Sequence, residues 1–199
     1  MATGSRGVVM AGFEVPEGWV AQAYQFALDP SPTQVDALRS HAGARNFAYN
    51  TMLAAVKANL DQRAAEKTYG LAGEELTACL GWSMRSLRNE WNRIKDVKAV
   101  RGDGTPWWEE NSKAAYASGC QCLANALDNW SQSREGRRRG PRVGFPRFKS
   151  KRRSAKKFTF TTGALRVEPD RRHVVLPRIG RVRTYESTRR LARRLEAGT

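Results

Sequence analysis

The chain has 199 residues, of which 40% are hydrophobic, and it carries a formal net charge of +16. This length allows one or two domains with a modest core. There is no run of about 18 apolar residues, which excludes a transmembrane helix, and the only apolar patch near the start is too short for a secretory signal. The strong positive charge makes nucleic acid the first candidate for a partner.

The positive charge is confined to the C-terminal third of the chain. Residues 134–199 contain 22 Lys and Arg against 5 Asp and Glu, or +17, whereas residues 1–133 contain 13 against 14, or −1. The densest stretch, from Arg134 to Lys157, reads REGRRRGPRVGFPRFKSKRRSAKK and is interleaved with aromatic residues. Such asymmetry is typical of a surface that binds a polyanion. A solvated or disordered tail is the alternative interpretation.

The cysteines indicate a reducing compartment. Cys79, Cys120 and Cys122 make an odd count without the spacing of a disulfide framework, so we expect a cytoplasmic protein. Cys120 and Cys122 have no second cysteine pair and no nearby histidine, which argues against a zinc site. We predict no metal and no other cofactor.

The first half of the chain predicts a flexible leader, a strand and a helical bundle. Residues 1–18 are glycine-rich, and the alternation from Trp19 to Leu28 favours a strand over residues 19–30. Ser31, with a proline and a glutamine after it, has the pattern of a helix N-cap with a capping box, and the helix could reach about Lys67. Apolar stripes from Leu76 to Ile94 and from Tyr116 to Trp130 predict two more helices. Residues 31–133 would thus form a helical bundle with the aromatic residues in its core.

The second half predicts a basic linker, short strands and a terminal helix. Residues 134–155 form the linker. Alternation and turns over residues 156–186 indicate strands at 157–162, 165–167, 173–176 and 181–185, and residues 187–199 indicate a basic helix. The predicted fold class is α+β: a small, wedge-like antiparallel β-barrel, completed by the first strand and interrupted by the helical bundle.

Basic residues beside aromatic ones suit a nucleic-acid strand, because cations hold phosphates and aromatic rings stack on bases. If about ten cations meet single-stranded phosphates, log affinity should fall with log salt at a slope of roughly −7. The stacking candidates are Phe145 and Phe148, with Phe158 and Phe160 as further candidates, and for each of the four a place in the core of the small sheet is the favoured alternative. The predicted phosphate contacts within the basic stretch are Arg137, Arg138, Arg139, Arg147, Lys149, Lys151, Arg152, Arg153, Lys156 and Lys157.

No catalytic residues are predicted. A two-metal nuclease needs several carboxylates that converge on metal ions, and the basic third offers few acids, of which Glu168 and Asp170 lie in a predicted turn. His41 and His173 have no companion that suggests a base or a ligand.

Five stretches resemble the N-terminal half of the TnpB/OrfB proteins of insertion sequences, which are transposon-encoded RNA-guided nucleases related to type V CRISPR effectors. The resemblance runs from about Ala23 to Arg183, with the stretches in the family's order. The most specific of them is GFPRFKS at residues 144–150, and another is LPRIGRV at residues 176–182. The remaining three are YQFALDPSPTQ at 24–34, GARNFAYN at 43–50, and the segment from Trp107 to Trp130.

This resemblance implies a barrel interrupted by a recognition bundle, and a transposase-related task. In the family, this half binds a guide RNA and its heteroduplex with target DNA, while a short adjacent motif is read in duplex DNA. Arg45 and Asn50 match the family's G-x-x-R-x-x-x-N signature and are therefore expected near nucleic acid. For Asn50, a hydrogen bond in helix packing is the alternative. Arg147 and Lys149 of the GFPRFK motif are expected to contact the nucleic-acid backbone.

The family continues into a RuvC-type nuclease domain with three metal-binding acids and a four-cysteine zinc finger, for which this sequence has no counterpart. We therefore expect the chain to bind RNA and DNA, away from membranes, without cleaving DNA. One alternative is half of a split transposon endonuclease whose RuvC-type half is encoded separately. A weaker alternative is an RNA chaperone or ribosomal-type RNA binder.

Overall fold

The computed structural model describes residues 22–161 and 165–196 and confirms the α+β class. These residues form four α-helices and four short β-strands. The helices are α1 (Pro32–Thr68), α2 (Met84–Lys98), α3 (Lys113–Arg134) and α4 (Arg189–Glu196), and the strands are β1 (Leu28–Asp29), β2 (Arg166–Val167), β3 (His173–Leu176) and β4 (Gly180–Thr184).

Helix α1 begins as the sequence predicts. Ser31 is the N-cap, its hydroxyl accepts from the Gln34 backbone N–H, and the Gln34 side chain accepts from the Ser31 N–H at 3.0 Å. This capping box satisfies two of the donors that a helix start leaves unpaired. No proline follows within the helix, and α1 continues for 37 residues. It is the longest element of the fold and the one against which the others are placed.

Helix α2 begins later than the predicted stripe. Residues 76–83 are not helical, because polar side chains of α1 hold this segment in an irregular path: Glu66 accepts from the Thr77 N–H at 2.8 Å, and Asn59 donates to the Ala78 carbonyl at 2.9 Å. The helix starts only where Ser83 provides an N-cap. The predicted helix from Leu76 was therefore too long by two turns.

The main core lies among α1, α2 and α3 and, as predicted, includes most of the aromatic residues of residues 31–133. Trp91 and Tyr116 stack with ring centroids 5.0 Å apart. The closest approach of two helices is at Gly119 of α3, where an added Cβ would collide with the Arg45 carbonyl oxygen and lie 3.2 Å from the Ala48 Cβ. Only glycine allows the two backbones to come this close.

The sheet is antiparallel in the order β1-β4-β3-β2, with the helical bundle inserted between β1 and β2 along the chain. Among the described residues it stays open, so the predicted closed barrel is wrong for these strands. Two of the four strands have only two residues, which leaves too little hydrogen-bonded edge to close a cylinder.

Two predicted strands are largely absent. Residues 157–161 have no strand pairing, because Phe158 and Phe160 turn towards α1, where their ring centroids lie 5.3 and 6.2 Å from that of His41. Residues 22–27 of the predicted first strand are also irregular, and only Leu28 and Asp29 pair with β4. The predicted leader, residues 19–21, residues 162–164 with the predicted turn at Gly163, and the end of the terminal helix at 197–199 lie outside the described residues.

His41 joins α1 to the start of α3. Its side chain is buried, Nε2 accepts the Ser112 backbone N–H at 3.0 Å, and Nδ1 therefore carries the proton and donates to the Ala37 carbonyl at 2.8 Å. Burial lowers the pKa of His41 below its ordinary value of 6.5, and Arg178 contributes in the same direction.

Replacing Gly119 with alanine should lower the free energy of unfolding by about 1–3 kcal/mol, because the new methyl group must push α1 and α3 apart. Chemical denaturation measures this change. The matched control is Gly43→Ala on the exposed side of α1, where an added Cβ meets nothing within 4 Å and helix propensity predicts a gain of about 0.5–1 kcal/mol. Equal effects at the two glycines would contradict the close approach.

Acid should destabilise the fold through His41. As the pH falls below about 6.5, His41 is protonated in the unfolded chain while it is still neutral in the folded chain. The free energy of unfolding therefore decreases by up to about 1.4 kcal/mol for each unit by which the pH is lowered, until the folded-state pKa is reached. Urea denaturation at pH 7.5 and 5.5 measures the loss. His41→Gln should reduce the difference in stability between the two pH values, and an undiminished difference would contradict this role of His41.

Candidate nucleic-acid interface

The stretch from residue 134 to residue 157, here called the basic segment, lies against the outside of α1 and α3. It leaves α3 where the Val143 N–H donates to the Ser133 hydroxyl at 2.9 Å. Further on, it meets α1 at Asn50, and just beyond its end Phe158 reaches His41. The segment therefore runs antiparallel to α1, and its path is fixed by helix side chains.

Asn50 makes the central attachment of the basic segment. Its amide nitrogen donates to the Lys149 carbonyl at 2.9 Å, and its amide oxygen accepts from the Lys149 N–H at 2.7 Å. This pair uses both main-chain groups of Lys149, as a strand partner would. The Lys149 ammonium lies 4.9 Å from the centre of the buried Tyr49 ring. In this structure Asn50 positions the GFPRFK motif through the main chain of Lys149, and its place near nucleic acid stays a prediction.

The two predicted stacking residues differ in their surroundings. Phe145 is half-buried and packs edge-on against Trp130 of α3, with ring centroids 5.0 Å apart. Phe148 is 54% exposed, and the Lys57 ammonium lies 5.7 Å from its ring centre. Phe145 therefore anchors the segment, while Phe148 keeps an accessible face that could stack on a base.

Most predicted phosphate contacts point into solvent. Arg137 pairs with Glu135, while Arg138 is half-buried and donates to the Pro141 carbonyl at 3.2 Å. The other cations, Lys149 apart, are exposed and form no ion pair with the described residues: Arg139, Arg147, Lys151, Arg152, Arg153, Lys156 and Lys157. Phe145 packs on α3, whereas Phe148 and most of the cations are exposed, and we call this exposed face the outer side of the basic segment.

Arg45 is not on this outer side. Its side chain is buried between α1 and α3, where the guanidinium donates to the Asn46 amide oxygen at 2.9 Å and to the Cys122 sulfur at 3.0 Å. Neither acceptor carries a formal negative charge when Cys122 is a thiol, although a buried cation is costly without such a partner. Arg45 also lines a cavity of about 430 Å³, together with Lys157 and Phe158. An anion entering this cavity would meet the guanidinium.

The described residues contain no group of three or more His, Cys, Asp or Glu side chains placed to hold a metal ion. Within the same residues, no helix has the length and apolarity needed to cross a membrane. All three cysteines are unpaired, and burial raises the pKa of Cys120 to about 12. The cytoplasmic location stays a prediction.

Comparisons with known proteins agree with the motifs. A helix-turn-helix domain model (HTH_OrfB_IS605) matches residues 20–64. Two Mycobacterium tuberculosis proteins, from strains CDC 1551 and H37Rv, are each 46% identical over 191 residues, which is 96% of this chain. Both are named "Putative RNA-guided DNA endonuclease". The chain is therefore TnpB/OrfB-like over nearly its whole length. It spans 40% of the length of these relatives.

The region that matches the helix-turn-helix model has a simple structure in this TnpB/OrfB-like chain. Its described part, residues 22–64, forms β1 and one continuous helix, without a turn between two helices. Gly43, the one helix-breaking residue after the first turn of α1, is exposed and leaves the helix unbroken. A major-groove reading by a second helix is therefore not a property of these residues alone.

Sequence reasoning missed two features of the interface. Lys57 of α1 lies beside Phe148, and Cys122 of α3 lies beside Arg45. Both pairs join residues more than 70 positions apart, so no local pattern could reveal them. Three cations of α2 and α3, Arg88, Lys95 and Lys113, were also missed, because these helices were considered only for their apolar stripes.

Replacing Asn50 with alanine should release the GFPRFK motif from α1. Two main-chain groups of Lys149 lose their partner, so we expect a loss of about 1–3 kcal/mol in stability and faster proteolysis after Arg147 and Lys149. Limited trypsin digestion with mass spectrometry measures the rates. The control is Asn92→Ala, an exposed asparagine of α2 without a hydrogen bond to the described residues, and its digestion pattern should match that of the unmodified chain.

Proposed function

We propose that this chain is the nucleic-acid-binding module of a TnpB/OrfB-type RNA-guided nuclease and that it grips guide RNA and target DNA through the outer side of the basic segment. The observation that carries the proposal is the attachment at Asn50. It ties a segment rich in exposed cations to α1 instead of leaving these cations on a free tail. Ordered cations can follow a phosphate backbone without losing as much conformational entropy on binding.

The charge distribution supports this proposal. The whole net charge of +16 comes from residues 134–199, which carry +17 against −1 for residues 1–133. The exposed Phe148 offers a stacking surface within the same region. Cations alone would bind any nucleic acid. Selectivity for a guide RNA then has to come from RNA shape, as in other RNA-guided systems, where base pairing reads the target.

Arg45 is proposed to act differently from the surface cations. It lies at the wall of a cavity that also includes Lys157, so a phosphate entering there would be held by a desolvated guanidinium. Such charge-assisted hydrogen bonds are about twice as strong as neutral ones. Arg45 would therefore fix the position of one phosphate, whereas the basic segment attracts many.

A second candidate function is supported by the relatives. They are named as DNA endonucleases, and this chain spans 40% of their length, so the chain could act together with a RuvC-type part in transposon-associated DNA cleavage. On either proposal, the residues described here bind and position nucleic acid. Metal-dependent cleavage of DNA by the purified chain would contradict a purely binding role. The motif order argues against a ribosomal or chaperone-type RNA binder.

Binding of a fluorescent single-stranded RNA should depend steeply on salt. With about ten phosphate contacts the slope of log affinity against log salt is roughly −7. The triple variant Arg147→Gln, Arg152→Gln, Arg153→Gln should reduce the size of the slope by about 2, because each lost contact removes about 0.7. Fluorescence anisotropy between about 50 and 300 mM salt measures both slopes.

The control removes three exposed cations from the helices: Arg39→Gln, Lys67→Gln, Arg93→Gln. It has the same net charge as the first triple variant, so an equal fall in slope would mean that the overall charge, and not the basic segment, determines binding. Sequencing the RNA that co-purifies at moderate salt then tests selectivity. One discrete structured RNA is expected for a guide-binding module, and a random mixture would contradict guide recognition.

A further inference from the structure

A second basic cavity lies between α2 and α3, away from the basic segment. It has a volume of about 270 Å³ and is lined by three cations and three aromatic residues: Arg88, Lys95, Lys113, Trp91, Trp108 and Tyr116. Arg88 and Lys95 come from one face of α2, two turns apart, while Lys113 is the first residue of α3. We call it the α2–α3 cavity.

The cations of this cavity have no acidic partner among the described residues. No Asp or Glu lines it, and Arg88, Lys95 and Lys113 form no ion pair with the described residues. The nearby Glu110 already pairs with Arg101. Three like charges around one small space repel one another, and this occurs in a part of the chain whose net charge is −1 over residues 1–133. An anion in the cavity would remove this repulsion.

The aromatic residues make the cavity more specific than a phosphate site. Trp91 and Tyr116 are buried and stacked on each other. The ring of Trp108 faces the Lys95 ammonium, 3.2 Å from its centre, and its Nε1 is buried without a hydrogen-bond partner in the described residues. A buried, unpaired N–H is uncommon. Burial also raises the pKa of Tyr116 to about 12, so the phenol adds no negative charge.

The size of the cavity limits the ligand. At about 30 Å³ for each water in the liquid, 270 Å³ corresponds to roughly nine waters, below the 300–1,000 Å³ or so of a drug-sized site. A cavity of this size can take the phosphate and part of the base of one nucleotide unit, and it has no room for two stacked ones. A nucleotide joins a phosphate to an aromatic base, which is the combination that the lining offers.

We infer that the α2–α3 cavity binds a single nucleotide unit of a bound nucleic-acid strand, with its phosphate held by Arg88 and Lys113 and its base against Trp108. Lys95, which now lies over the Trp108 ring, moves aside to join the phosphate. The inference rests on the proposed function, because the nucleotide belongs to the same nucleic-acid strand that the basic segment is proposed to bind. It adds a contact on the helical bundle, which fixes where the strand leaves the segment.

The test compares salt slopes for the single-stranded RNA in matched variants. Arg88→Gln with Lys113→Gln should reduce the size of the slope by about 1.4, since each lost phosphate contact accounts for about 0.7. The control is Arg93→Gln with Lys67→Gln. Arg93 is on the same helix as Arg88, but its guanidinium pairs with Glu90 and does not line the cavity, so this variant should keep the slope of the unmodified chain. Circular dichroism confirms that both variants are folded.

Ultraviolet crosslinking provides a second measurement that does not depend on affinity. RNA bound to the unmodified chain should crosslink at Trp108, within the tryptic peptide of residues 102–113. In Arg88→Gln with Lys113→Gln the cleavage site after residue 113 is lost and the peptide extends to Arg134, and the crosslink at Trp108 within this longer peptide should be weaker. If the chain binds RNA but neither slope nor crosslink changes, the inference is overturned and the proposed function stands. A chain that binds no nucleic acid overturns both.

Discussion

The close packing of α3 on α1 is the constraint on which the rest of the structure depends. At Gly119 the two backbones meet without a side chain between them, and this contact brings Cys122 beside Arg45 and places Ser112 against His41. Because α1 is a single helix of 37 residues, it extends beyond this contact in both directions. One end reaches the small sheet, and the other carries the attachments of the loop before α2.

The same packing explains how a highly charged segment becomes ordered. A run of arginine and lysine has little apolar surface to bury and would ordinarily remain disordered. Here the Phe145 ring packs against Trp130, and the main chain of Lys149 forms two hydrogen bonds with Asn50. The backbone is therefore fixed although most of the cations remain in water. The protein thereby separates two tasks, because a few side chains provide the order and the remaining ones provide the charge.

Much of the fold could be predicted from local sequence. The capping box at Ser31 and Gln34, the strand His173–Leu176 and the chain order of helices and strands all appear in the structure, because each depends on residues a few positions apart. The predicted barrel and the strand at 157–162 failed because alternation cannot tell whether an extended segment will find a strand to pair with. Phe158 and Phe160 found α1 instead.

For the candidate site, the sequence by itself determined the composition: the positive C-terminal third, the GFPRFK motif and the TnpB/OrfB resemblance. Only the tertiary structure decided which of these residues are accessible. Arg45 is buried, and Asn50 is hydrogen-bonded to the Lys149 main chain. Phe145 packs against Trp130, whereas Phe148 remains exposed. The physical reason is that exposure and charge pairing depend on contacts between residues far apart in the chain. The three cations of the α2–α3 cavity, spread from residue 88 to residue 113, become neighbours only when α2 and α3 pack together.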